Sequence, residues 1–106
     1  MEERRVHKRF DVEVPVTLRT KGKLIPAASL DLSLGGIAVL AEFDADLQEG
    51  PVEIIMDLSP NQRDVALMGH ILRLNKEYGQ KVGIQFVESR QKELNALKKF
   101  LENRYN

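Results

Sequence analysis

The sequence predicts an all-β domain: a six-stranded antiparallel β-barrel followed by one C-terminal α-helix. Three observations predict it. Apolar and polar residues alternate in short runs of strand length, Gly- and Pro-containing turn signals separate those runs, and only past Phe86 does the apolar period lengthen to that of a helix. A chain of 106 residues is long enough to bury one core without disulfide or metal staples. Residues 1–106 are therefore expected to form a single domain, divided into a flexible arm over 1–9, a barrel over 10–88 and a helix over 89–104.

The first strand is expected where Val12, Val14, Val16 and Leu18 alternate with Asp11, Glu13, Pro15 and Thr17. Lys21-Gly22-Lys23 is a hairpin turn. Beyond it, Leu30, Leu32 and Leu34 alternate with Asp31 and Ser33 until Gly35-Gly36 interrupts, and Ile37, Val39 and Ala41 resume the pattern. Gly50-Pro51 opens a fourth strand through Val52, Ile54 and Met56, closed by Ser59-Pro60-Asn61. A long strand from Val65 to Leu74 is turned back at Glu77-Tyr78-Gly79-Gln80 into Val82, Ile84 and Phe86. Leu94, Leu97 and Leu101, with Phe100 beside them, then fall at helical spacing, and Ser89 is available as the N-cap. Phe86 and Phe100 are expected in the core.

Composition removes several function classes. There is no cysteine, so disulfides and thiolate metal sites are excluded, and His7 and His70 stand too far apart in sequence to suggest a ligand pair. Cysteine-free usage suits a reducing cytoplasm. The longest apolar run, Ile37 to Ala41, is far below the roughly 18 residues of a membrane helix, and the first residues lack the apolar segment that a signal peptide carries. Sixteen basic residues balance sixteen acidic ones, so no global positive field holds DNA or RNA, and six aromatics make a poor stacking platform. No nucleophile–base set, paired carboxylates or phosphate-binding loop can be assembled from spacing, so an enzyme is not expected.

Two segments carry candidate chemistry. Arg5 and Arg9 lie four apart in an N-terminal arm that no periodicity assigns to a core; such a pair is either a solvated basic face or a cationic hook free to close on a ligand. Asp31-Leu32-Ser33-Leu34-Gly35-Gly36 is richer. A period of two sends Leu32 and Leu34 inward and leaves Asp31 and Ser33 on the outer face, a charged acceptor beside a hydroxyl, ahead of glycines that permit close backbone approach. The same segment is also compatible with an ordinary Ser/Gly turn ending a strand.

Arg5-Val-His-Lys-Arg9, followed after twenty-one residues by Asp31-Leu-Ser-Leu-Gly-Gly36, resembles the RxxxR and [D/N]xSxxG pair of PilZ domains. Gly69-His-Ile-Leu-Arg73 and Val82-Gly-Ile-Gln-Phe86 resemble that family's later strands, and the terminal helix falls where its members often carry one. The likeness covers nearly the whole chain. It implies a PilZ-like split barrel and a receptor for cyclic di-GMP, a ligand with two guanines and two phosphodiester charges.

In that likeness Arg5 and Arg9 are the primary contacts. A guanidinium fork engages guanine O6 and N7 or a phosphate bidentately and stacks on a purine face. Asp31 would accept from guanine N1–H and N2–H, Ser33 would add a hydroxyl bond, and Gly36 would serve through backbone shape. An arginine at the position of Arg4 accompanies binding of an intercalated ligand dimer in this family, so up to two molecules per protomer are implied. Arg73, and less strongly His70, lie on a strand that can border the pocket, of which period two lets one face reach it. No cofactor is implied. A stand-alone receptor would act on a separate, unidentified downstream protein in motility, biofilm or exopolysaccharide control. The rival within the same fold is a PilZ-like protein–protein interaction module that has lost nucleotide binding.

Overall fold

The computed structural model describes residues 8–87 and 91–105. Six strands, β1 (Pro15–Thr20), β2 (Lys23–Leu32), β3 (Gly36–Ala41), β4 (Gly50–Met56), β5 (Val65–Lys76) and β6 (Gln80–Phe86), precede one helix, α1 (Gln91–Tyr105). The strands pair antiparallel in the order β1-β2-β3-β6-β5-β4, and β1 pairs with β4 to close the barrel. Closure removes the unpaired edges that would otherwise template association. The expected architecture of six antiparallel strands and a terminal helix is the one observed.

Alternation builds the interior. Val16 and Leu18 of β1, Ile37 and Val39 of β3, Val52, Ile54 and Met56 of β4, Leu67 and Ile71 of β5, and Val82 and Ile84 of β6 all point inward and are buried. Leu97, Phe100 and Leu101 of α1 join the same cluster, with α1 packed on β5. Gln62 fastens it, its side-chain amide donating to the Ala96 carbonyl at 2.8 Å. The first hairpin is as expected: Thr20 pairs with Lys23, and Lys21 and Gly22 take φ of 53° and 76°, the left-handed pair that a two-residue turn matched to strand twist requires.

Four local expectations are corrected. Val12 and Val14 are buried but precede β1; they are held to β2 through Ser29, whose N–H donates to the Val14 carbonyl at 3.1 Å and whose hydroxyl donates to the Val12 carbonyl and accepts from the Val14 N–H at 2.9 Å. Leu30 was expected inside and is exposed, because β2 bulges there: Ser29 pairs with Val39 and Asp31 with Ala38, leaving Leu30 as the extra residue. A second bulge on β5 leaves Leu72 extra between Ile71 and Arg73. Gln80, expected in a turn, opens β6 fully buried, donating to the carbonyls of Glu42 and Ala45 and so anchoring the β3–β4 loop. Phe86 is half-buried, whereas Phe100 is in the core as expected. The proposed N-cap, Ser89, lies outside the described residues.

Candidate functional site

The outer wall of β2, β3, β6 and β5 carries one continuous cross-strand row. Asp31 pairs with Ala38, Ala38 with Gly83, and Gly83 with Arg73. Three strand spacings separate the ends of this row, about 14 Å at the backbone. The two middle residues have almost no side chain, so the wall is dented between a carboxylate on one side and a guanidinium on the other. The dent is a groove of about 510 Å³ lined by Arg9, Asp31, Ala38, Arg73, Asn75, Lys81, Val82 and Gly83.

Both ends of the row owe their position to the bulges. Asp31 follows the extra Leu30, and Arg73 follows the extra Leu72. Strict period two would set residues 70 and 73 on opposite faces, but the bulge at Leu72 resets the phase, and both His70 and Arg73 are exposed. Only Arg73 lines the groove. His70 pairs across the sheet with Gln85 and Pro51, one row further along.

Arg9 enters from the chain ahead of β1. Phe10 and Leu32 form an isolated antiparallel bridge with both N–H···O bonds at 2.9 Å, which brings the preceding residue alongside β2. Arg9 Nε then donates to Asp31 Oδ1 at 2.9 Å, and Arg9 Nη2 lies 2.7 Å from the same oxygen. The two side chains are 39% and 29% exposed. An ion pair this open stabilises the fold by at most about 1 kcal/mol, so either partner can be drawn onto a ligand at small cost.

Ser33 departs from its expected place. It is buried rather than on the outer face beside Asp31, because β2 ends at Leu32 and the chain has already begun to turn. Its Oγ accepts from the N–H of Gly35 at 3.0 Å and of Gly36 at 3.1 Å and donates to the Gly36 carbonyl at 3.3 Å. The hydroxyl thus shapes the hairpin beside Asp31. Gly36 is a steric requirement: a Cβ there would collide with the Ile84 carbonyl oxygen of β6, a backbone atom that cannot step aside. Arg4 and Arg5 lie outside the described residues, as does His7.

Sequence reasoning missed Ala38, Asn75, Lys81 and Gly83. Asn75 and Lys81 face each other across β5 and β6, one outward row beyond Arg73 and Gly83. Their pairing depends on the phase reset at Leu72, which carries no motif. Among the described residues, no group of three or more His, Asp or Glu side chains is placed to hold a metal ion, and no helix is long and apolar enough to cross a membrane.

Known structures share this architecture. The Bacillus subtilis inhibitor of motility MotI/DgrA superposes with a TM-score of 0.83 at 22% identity, covering 97% of this chain and 52% of that one. The PilZ domain of YcgR from Escherichia coli, solved with c-di-GMP, gives 0.79 at 15% identity, covering 95% of this chain and 91% of that one. The MrkH–c-di-GMP complex of K. pneumonia gives 0.78 at 14% identity, covering 97% of this chain and 53% of that one. The chain thus spans about half the length of MotI/DgrA and MrkH. At these identities the likeness establishes the fold; no curated protein matches the chain. The family model described as PilZ domain matches residues 3–103, which include the N-terminal arginines, the barrel and most of the terminal helix, and the chain belongs to the PilZ domain family.

Proposed function

We propose that this protein is a cytoplasmic cyclic di-GMP receptor that binds its ligand in the groove between Arg9–Asp31 and Arg73 and passes the signal to a partner protein. The observation that carries the proposal is the Arg9–Asp31 pair at the mouth of a groove with a floor of small residues. A guanine edge offers donors at N1 and N2 and acceptors at O6 and N7, so a carboxylate and a guanidinium side by side answer both halves of it. Both Arg9 bonds converge on Oδ1, and among the described residues Asp31 Oδ2 has no partner, which leaves it able to accept. Two fold neighbours, YcgR and MrkH, were solved with c-di-GMP.

In this reading Arg4 and Arg5 join Arg9 on the ligand, Arg4 favouring a second molecule per protomer. Gly36 contributes backbone shape, and Ser33 acts by holding the hairpin that presents Asp31. The groove binds without performing chemistry. The signal goes to a downstream protein in motility, biofilm or exopolysaccharide control, and MotI/DgrA, an inhibitor of motility, shares the fold of such a device.

Isothermal titration with cyclic di-GMP tests this, read for affinity and stoichiometry. A micromolar dissociation constant corresponds to about 8 kcal/mol, and a bidentate arginine contact supplies roughly 1 to 3 of it. Arg9→Ala should therefore weaken binding by about five- to 150-fold. Arg9→Lys should lose most of the same affinity, because it keeps the charge and loses the fork. Unchanged affinity in Arg9→Lys would remove the fork from the mechanism. No heat with the wild-type protein would leave the interaction module that binds no nucleotide.

A further inference from the structure

We infer that Lys81 is the second anion anchor of the groove, holding together with Arg73 the phosphate distal to Arg9; this rests on the proposed cyclic di-GMP site. Lys81 belongs to no motif that the family resemblance supplied. Its direction is fixed by its neighbours: Gln80 and Val82 are both fully buried, so period two turns Lys81 outward. On the same face, two residues along β6, stands Gly83, whose missing side chain leaves open space beside the lysine stem. Across the strand pair it faces Asn75, a neutral donor and acceptor. Lys81 therefore overlooks the small-residue floor from the side opposite Arg9.

Charge bookkeeping supports the same assignment. The groove is lined by three cations, Arg9, Arg73 and Lys81, against one carboxylate, Asp31, a net charge of +2 on a chain whose formal net charge is zero. Arg9 and Asp31 already pair with each other in the free protein, whereas among the described residues neither Arg73 nor Lys81 has an ion-pair partner. Two uncommitted cations on adjacent strands match a ligand whose second phosphate lies across its ring from the first. A lysine suits that role: its compact ammonium has no planar fork for a base edge but bonds any phosphate oxygen within reach.

The test is titration with cyclic di-GMP at low and high salt on the wild type, Lys81→Gln and Lys81→Arg, with thermal melts as a check on folding. Lys81→Gln should melt like the wild type, bind roughly five- to tenfold more weakly at low salt, and lose affinity less steeply as salt rises. Lys81→Arg should restore both affinity and salt dependence. If the wild type binds and Lys81→Gln binds equally, with the same salt dependence, Lys81 is no anchor and the receptor reading stands without it. If the wild type does not bind, both fall together.

Discussion

The Ser33 hydroxyl makes three hydrogen bonds inside the β2–β3 hairpin, so removing it acts on the wall before it acts on any ligand. Ser33→Ala strips the acceptor from two N–H groups, of Gly35 and Gly36, and should cost about 1 to 3 kcal/mol of stability, measurable as a lower urea midpoint. If Ser33 also touched the ligand directly, Ser33→Thr would disturb binding while keeping the hydroxyl network. We expect Thr to preserve more affinity than Ala, in step with its stability. Part of this was legible beforehand: a Ser two residues ahead of a Gly pair predicts a turn, and the turn is there. The side of the wall on which the hydroxyl ends was not legible, because period two holds only while the strand continues, and β2 ends at Leu32.

Strands define the next scale, where two single-residue bulges decide what the outer wall presents. Alternation in the sequence located five strands and the end of β2; the first part of that strand, from Lys23 to Ser29, was not legible, because its inward positions include Ser29 and only Ile25 is a large buried apolar residue. Alternation also put Leu30 on the core face beside Leu32, and it separated residues 70 and 73. Both errors have one physical source: an extra residue opposite a single partner shifts the phase by one, and neither Leu30 nor Leu72 differs in type from its inward neighbours. Substitution separates the two readings. Leu30→Ser should change stability by no more than about 0.5 kcal/mol, since the side chain is already 38% exposed. Leu32→Ala, fully buried two residues later, should cost about 2 to 5 kcal/mol. Chemical denaturation of both variants decides the point; a comparable large loss in each would mean that β2 runs without the bulge and that Asp31 is not aimed at the groove.

At the scale of the whole molecule, the barrel divides its labour between two surfaces of the same sheet. The inner surface and α1 hold nearly all the apolar burial, while the candidate site occupies the outer surface of four strands and uses almost none of it. Stability and binding should therefore be separable at positions that face outward without a role in packing. Gly83 is the sharpest such position. A Cβ placed there meets only the Arg73 Cβ, at 3.8 Å, so the fold has room for a side chain that the sequence does not supply. Glycine weakens a strand interior, and a β-branched residue stiffens it, so Gly83→Val should melt at or above the wild-type temperature. The same two methyl groups would rise from the groove floor between Asp31 and Arg73, where a planar base or a phosphate must lie, and should cut cyclic di-GMP affinity by at least about tenfold. A thermal melt and a titration on one preparation give both numbers. A stable Gly83→Val protein with wild-type affinity would show that the ligand, if it binds, does not lie across this wall.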